Sequence, residues 1–250
     1  LNVGGAIETA SWKDIPDAIL LPWQCGQEIG HSVADMLVGK VAPSGHLPMT
    51  LPEKLSDHAS TKNFPLDSPD ISGWGEEGKN ERKNIDYTNY EEGIYVGYRW
   101  FDKKGLNVSY PFGYGLTYTT FEFDGLKLSI KQGTALSDEV IEVSVNVKNI
   151  GKTAGKQVVQ VYVTAPKGNQ DKPVQELKGF AKTRLLKPGE SQVVTVCIPK
   201  IDLASFYAKK SAWVVDAGTY IFRVGDNSRN ILCESKIKIK KQQETVSISL

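Results

Sequence analysis

The sequence predicts a mainly β chain: an antiparallel β-sandwich in the C-terminal half, preceded by a partial α/β segment and an aromatic-rich connector. Three observations predict it. Apolar and polar residues alternate with period two from about residue 121 to residue 241, and clusters of Gly, Pro, Asn and Asp separate the alternating runs. Before residue 60 the pattern changes to a short continuous apolar run followed by helical spacing. The length of 250 residues suits two units at the usual ~100–200 residues each.

Residues 1–60 carry the α/β reading. "LNVGGAIE" reads as the end of a strand running into a turn, and "DAILLPW", residues 17–23, is a short apolar run after its leading Asp17, as a strand covered on both faces would be. "GQEIGHSVADMLVGK" then places Ile29, Val33, Met36 and Leu37 on one side of a helix that stops near Gly39. A strand followed by a helix is one step of an α/β layer. One such step does not cover its own sheet, so the expectation is the edge of a larger three-layer α/β sandwich with earlier strands outside this sequence.

Residues 61–120 read as a connector: first a polar stretch, "SPDISGWGEEGKNERKNIDYTN", with an isolated Trp74, then "YEEGIYVGYRWFDKKGLNVSYPFGYGLTYTTFEF". The second stretch raises a chemical question, because aromatic residues around the acidic pair Glu91 and Glu92 suit both a sugar site and a domain junction. Adjacent residues on extended backbone point to opposite sides, so the pair does not readily present two carboxylates to one substrate. One of them is expected to anchor a cation such as Arg99 or a backbone turn. Tyr95, Tyr98, Trp100, Phe101, Tyr110, Phe112, Tyr114 and Tyr118 offer large apolar faces with hydrogen-bonding tips, which suits an interdomain clasp. Gly113 and Gly115 permit close or left-handed backbone there.

From Phe121 onward the strands are expected at Leu126–Leu128–Ile130, Ile141–Val143–Val145–Val147, Val159–Val161–Val163, Val194–Val196–Ile198, Tyr220–Phe222–Val224 and Ile237–Ile239. Six or seven short strands with this punctuation argue for an immunoglobulin or fibronectin type III-like sandwich over residues 121–241, followed by a tail at 242–250. Its aromatics, Tyr162, Phe180, Phe206, Tyr207, Trp213, Tyr220 and Phe222, are spread mostly through apolar positions, which argues against an exposed binding face.

The formal net charge of +1 gives no electrostatic case for nucleic acid or a membrane surface. No apolar run approaches the ~20 residues that span a bilayer. Cys25, Cys197 and Cys233 lack metal-type spacing and are expected as buried free thiols, with a Cys197–Cys233 bridge open only if their strands are neighbours. His31, His46 and His58 are too scattered for a ligand motif, so no metal and no cofactor is implied. Glu28 falls at the start of the helix, where a carboxylate complements the helix dipole; a catalytic role is the alternative.

"LPWQCGQEIGHSVADMLVGKVAPSGHLPMTLP" resembles the closing segment of the α/β sandwich domain of glycoside hydrolase family 3. The resemblance rests on Trp23, Gly26, Gln27, Glu28, the following helix, and Pro43, Ser44, Gly45, Leu47, Pro48 and Thr50, with Cys25 where the family usually has Pro. "YEEGIYVGYRWFD" and "YPFGYGLTYTTFEF" resemble its next two signatures, and the sandwich resembles its fibronectin type III-like domain.

The resemblance implies the C-terminal portion of a retaining β-glycosidase, β-glucosidase-like, acting on a β-linked glycoside or oligosaccharide. In such enzymes a nucleophilic Asp lies on an N-terminal (β/α)8 barrel and, in many members, an acid/base Glu lies on an α/β-sandwich loop, the two carboxyls about 5 Å apart. Neither matches a position in this chain, so no catalytic residue is assigned within it, and the barrel and the rest of the α/β domain are the expected partners. Trp74 is the one candidate substrate-binding residue, stacking on a sugar ring at the rim of the intact active site. A periplasmic or extracellular location is expected. The alternative from another class is a free-standing carbohydrate-binding or protein-interaction module.

Overall fold

The computed structural model describes residues 1–62, 90–133, 135–136, 138–168 and 170–245. Its C-terminal part is the expected sandwich. One sheet orders β3 (Phe121–Lys131), β4 (Val140–Asn149) and β7 (Ser191–Pro199); the facing sheet orders β11 (Ile231–Ile239), β10 (Gly218–Gly225), β5 (Val158–Thr164) and β6 (Glu176–Lys182). A three-stranded ribbon of β12 (Gln242–Thr245), β9 (Ala212–Val215) and β8 (Ser205–Tyr207) accompanies them, and every pairing is antiparallel.

Period-two patterning places the core. On β4 Ile141, Val143, Val145 and Val147 are buried, while Glu142, Ser144 and Asn146 between them are only half-buried. Opposite them in register stand Ile198, Val196 and Val194 of β7, and the core closes on Val159, Val161, Val163, Tyr220, Phe222 and Val224 of the other sheet. β3 carries a bulge between Asp124 and Lys127, where Gly125 takes a φ of +63° that a β-carbon would strain.

The strands expected from alternation are present, and four others described in the C-terminal part are not visible by that pattern. β6 reads "ELKGFAK", without clean alternation, and Gly179 at its centre leaves space for Val196 of the opposite sheet. β8, β9 and β12 are only three or four residues long. The expected tail is therefore corrected in part, since Gln242–Thr245 pairs with β9. Gln242 Nε2 donates to Glu139 Oε1 at 2.7 Å, which fastens the start of that strand beside β4.

The N-terminal segment departs further. The helix is present as α1 (Ile29–Leu37), and Gly39 follows with a φ of +74°. Ile29, Val33 and Met36 are partly buried as expected, but Leu37 is 70 % exposed. Residues 17–23 form no strand, because a sheet strand needs a ladder partner and none of the described strands runs beside them; the Leu1 amino group donates to Leu20 O at 2.8 Å. The segment is held to the connector by a short ladder between β1 (Leu51–Pro52) and β2 (Val108–Tyr110).

All three cysteines are free. Cys25 and Cys197 are exposed, against the expectation of burial, because Cys197 lies on the outward phase of β7. β7 and β11 belong to different sheets, which removes the strand adjacency that a Cys197–Cys233 bridge requires. No helix among the described residues is long and apolar enough to cross a membrane.

Candidate functional site

Trp74 lies outside the described residues. Glu28 is the residue before α1, exposed, with Oε2 2.7 Å from the Nδ1 of an equally exposed His31, an arrangement of a solvated surface. Glu91 and Glu92 sit on a turn rather than on extended backbone, with Gly93 and Gly97 at positive φ and the Glu92 carbonyl accepting from Tyr95 N at 3.0 Å. Arg99, expected beside that pair, instead reaches Glu176 on β6 at 3.5 Å. Among the described residues no group of three or more His, Cys, Asp or Glu is arranged to hold a metal ion.

What the connector does build is a junction. Helix α2 (Tyr98–Lys104) begins after Gly97 and closes at Gly105, whose φ of +63° stops it. Its Phe101 is 1 % exposed and meets the His58 ring edge-on at 5.4 Å, and Trp100 Nε1 donates to Asp57 O at 2.9 Å, so one side of the helix faces the N-terminal segment. The other faces the sandwich. The Tyr98 hydroxyl accepts from Leu177 N at 2.8 Å, and its ring packs against Phe112 and, edge-on, against Tyr162 of β5. Lys103 reaches Tyr95 OH and Asp171, and Tyr118 OH donates to Met36 O at 2.8 Å.

Residues of β5, of β6 and of the turn between β10 and β11 close the junction. Gln160 Nε2 donates to Gly113 O at 3.0 Å and to Asp226 O at 2.5 Å, while Gln160 Oε1 accepts from Tyr162 OH at 2.6 Å. Gln175 Nε2 donates to Ser228 O at 2.6 Å, Ser228 N donates to Phe112 O at 2.9 Å, and Arg229 Nη2 donates to Leu106 O at 2.8 Å. Lys182 Nζ donates to Ser44 O at 2.8 Å, tying the family-like "PSG" turn directly to β6. Hydrogen bonds that run from one element to another in this way, the Gln160 and Gln175 amides buried and the Lys182 and Arg229 contacts at the edge, favour one relative placement of the elements.

Burial sets the electrostatics here. It pushes the Tyr162 phenol far above its ordinary range, with Tyr98 and Asp102 adding to the effect. It also raises Asp102 against the pull of Arg229, raises Asp226, and lowers His46. For Asp102 and Asp226 burial favours the neutral form and outweighs the pull of their hydrogen-bond partners, which suits a partly dry joint rather than a solvated surface.

Gly113 gives this joint a sharp test. Its φ is +82°, and a β-carbon there would overlap the Gln160 amide. Gly113→Ala is expected to destabilise the junction by roughly 1–3 kcal/mol, through strain and the displaced amide. Thermal denaturation and hydrogen exchange across residues 95–115 would measure it; an unchanged melting temperature with full protection would show that the contact yields freely.

Sequence reasoning found the connector's half of this site and missed the sandwich's half. Gln160, Gln175, Ser228 and Arg229 look like surface residues by type, though 158–164 contains no charge on either phase, as a strand covered on both faces requires.

Comparison with known proteins agrees with this two-part organisation. Residues 1–98 match the glycosyl hydrolase family 3 C-terminal domain, and residues 157–228 match a fibronectin type III-like domain. β-Glucosidase A of Butyrivibrio fibrisolvens is 41 % identical over 249 residues, covering 92 % of this chain and 28 % of the relative. An exo-α-(1→6)-L-arabinopyranosidase of Bifidobacterium longum is 37 % identical, covering 92 % of this chain and 28 % of the relative. The structure of β-glucosidase 3B from Thermotoga neapolitana in complex with α-D-glucose superposes with a TM-score of 0.83 at 46 % identity, covering 98 % of this chain and 31 % of that one. The chain thus spans less than a third of the length of these proteins. It belongs to glycoside hydrolase family 3, within which it corresponds to the C-terminal domain followed by the fibronectin type III-like domain.

Proposed function

We propose that this chain is the structural support of a retaining β-glycosidase, β-glucosidase-like, that removes terminal β-linked sugars from glycosides or oligosaccharides, and that it performs no chemistry alone. The observation that carries this reading is the buried junction: the residue types that suggest a sugar site are spent on joining one domain to the next. Tyr98 packs against Phe112 and, edge-on, against Tyr162, with its hydroxyl accepting from the Leu177 amide, so both its ring and its tip are engaged in the junction. That the same portion aligns with both a β-glucosidase and an arabinopyranosidase supports placing sugar choice elsewhere in the enzyme. The working partners are then a (β/α)8 barrel bearing the nucleophilic Asp and the remainder of the α/β domain. A periplasmic or extracellular setting goes with that reading.

The test is hydrolysis of an aryl β-glucoside by the 250-residue chain, its intact mass verified, beside a full-length family member. No aryl alcohol release is expected. Turnover that copurifies with the chain and disappears in Glu28→Gln or Glu92→Gln would place a working carboxylate in this chain and overturn the reading.

A further inference from the structure

The aromatics of the sandwich do not all follow the apolar positions expected of them. Tyr162, Tyr220 and Phe222 are fully buried, but Trp213 is 42 % and Phe206 is 44 % exposed. The two are directly opposed in the β8–β9 ladder, so they share one face of the ribbon, and their rings meet edge-on at 5.3 Å. On β9 the alternation is strict at this point: Ala212 and Val214 are buried and Trp213 between them points out. Exposing a large aromatic pair to water forgoes the stabilisation of burial, and here no described element covers it.

Trp213 also forms one wall of an open recess of about 420 Å³, whose other walls are Leu177, Lys178, Ile201, Asp202 and Ala204. The recess lies between β6 and the turn of 3-10 helix at Lys200–Leu203, and its Leu177 wall adjoins the junction through the Tyr98 contact. Its polar groups are specific in kind. Asp202 is exposed, and neither its carboxylate nor the Trp213 indole N–H makes a hydrogen bond among the described residues. The Lys178 ammonium is paired with Glu176 at 3.1 Å, so the recess offers no free cation to an anionic ligand.

A recess lined by an exposed indole and by a carboxylate without a partner among the described residues matches a neutral polyol with an apolar face. A pyranose ring has that chemistry: C–H groups on one face for the indole, vicinal hydroxyls to donate to a carboxylate and to accept from the indole N–H. We propose that the recess beside Trp213 is an accessory sugar-binding site, in which the indole stacks on one pyranose of an oligosaccharide, Asp202 accepts from its hydroxyls and Phe206 braces the indole. The β-linked class of that oligosaccharide rests on the function proposed above; the recess itself does not.

Calorimetric titration of the 250-residue chain with cellotetraose and, separately, maltotetraose tests the site. Cellotetraose is expected to bind weakly, and Trp213→Ala to weaken it about tenfold, the loss of one stacked aromatic face. Asp202→Asn, which leaves the fold's contacts untouched, is expected to weaken binding severalfold with an unchanged melting temperature. No binding of either sugar, or binding that survives both substitutions, overturns the proposal. Binding of maltotetraose alone, lost in both variants, overturns the β-linked assignment that comes from the proposed function and leaves the recess as the site.

Discussion

Lys200→Ala is expected to cost about 3–5 kcal/mol at neutral pH, the usual penalty for leaving one charge of a buried ion pair uncompensated. Lys200 Nζ lies 2.5 Å from Glu139 Oε2, and both side chains are 8 % exposed. Backbone repeats the tie, with Lys200 N donating to Glu139 O at 2.8 Å, and Gln242 caps the second carboxylate oxygen at 2.7 Å. One carboxylate therefore holds together the entry to β4, the exit from β7 and the start of β12.

The pH dependence separates this mechanism from simple loss of packing. The hydrogen bond from Lys200, then that from Gln242, holds Glu139 below its ordinary value of 4.5. A carboxyl whose folded value is depressed contributes stability that is present above its unfolded value and lost as pH falls through the folded one. The intact chain should lose this contribution below about pH 4.5. In Lys200→Ala the sign reverses, since a buried carboxylate without its cation is pushed up and gains stability on protonation. Urea unfolding at pH 7 and pH 4 should show the gap between the two proteins narrowing on acidification. A gap that is the same at both values would mean that the loss is the lysine stem's packing and that the charge pair contributes little.

Much of the fold was legible because burial of one sheet face writes itself into sequence as period two. Ile141 to Val147 and Val194 to Ile198 each occupy the phase their alternation assigns. Short ribbons do not write themselves this way. Phe206, Trp213 and Gln242 belong to strands of three or four residues, too short for a period to emerge, and so the exposed aromatic face and the last strand both went unseen. Residues 17–23 show the opposite limit: continuous apolarity states that a segment is to be covered, not that a ladder partner is present. The junction was half-legible for a similar reason. Aromatic and glycine density marked residues 95–118 as a joining surface, but the partner side is built from polar residues whose hydrogen bonds depend on three-dimensional neighbours.

Gln160→Ala should expose how much of the chain's organisation depends on that polar half. Gln160 is 3 % exposed and serves the Gly113 carbonyl, the Asp226 carbonyl and the Tyr162 hydroxyl at once, so truncation leaves three groups in a dry joint without their partner. At roughly 1–3 kcal/mol for each unsatisfied group, moderated where water enters the vacated space, a loss of about 2–4 kcal/mol is expected. The location of the damage is more informative than its size. Val159, Val161 and Val163 point to the other face of β5 and keep the sandwich core intact, so hydrogen-exchange protection should fall across residues 95–115 while β4 and β7 retain theirs. Glu92→Gln, on the exposed turn of the same connector, should leave both regions unchanged. Uniform loss of protection in Gln160→Ala would mean that connector and sandwich unfold as one cooperative unit, with the joint part of a single core; loss confined to the connector would establish the buried amide as the fastening between two separately stable parts, which is what a brace between domains of a larger enzyme requires.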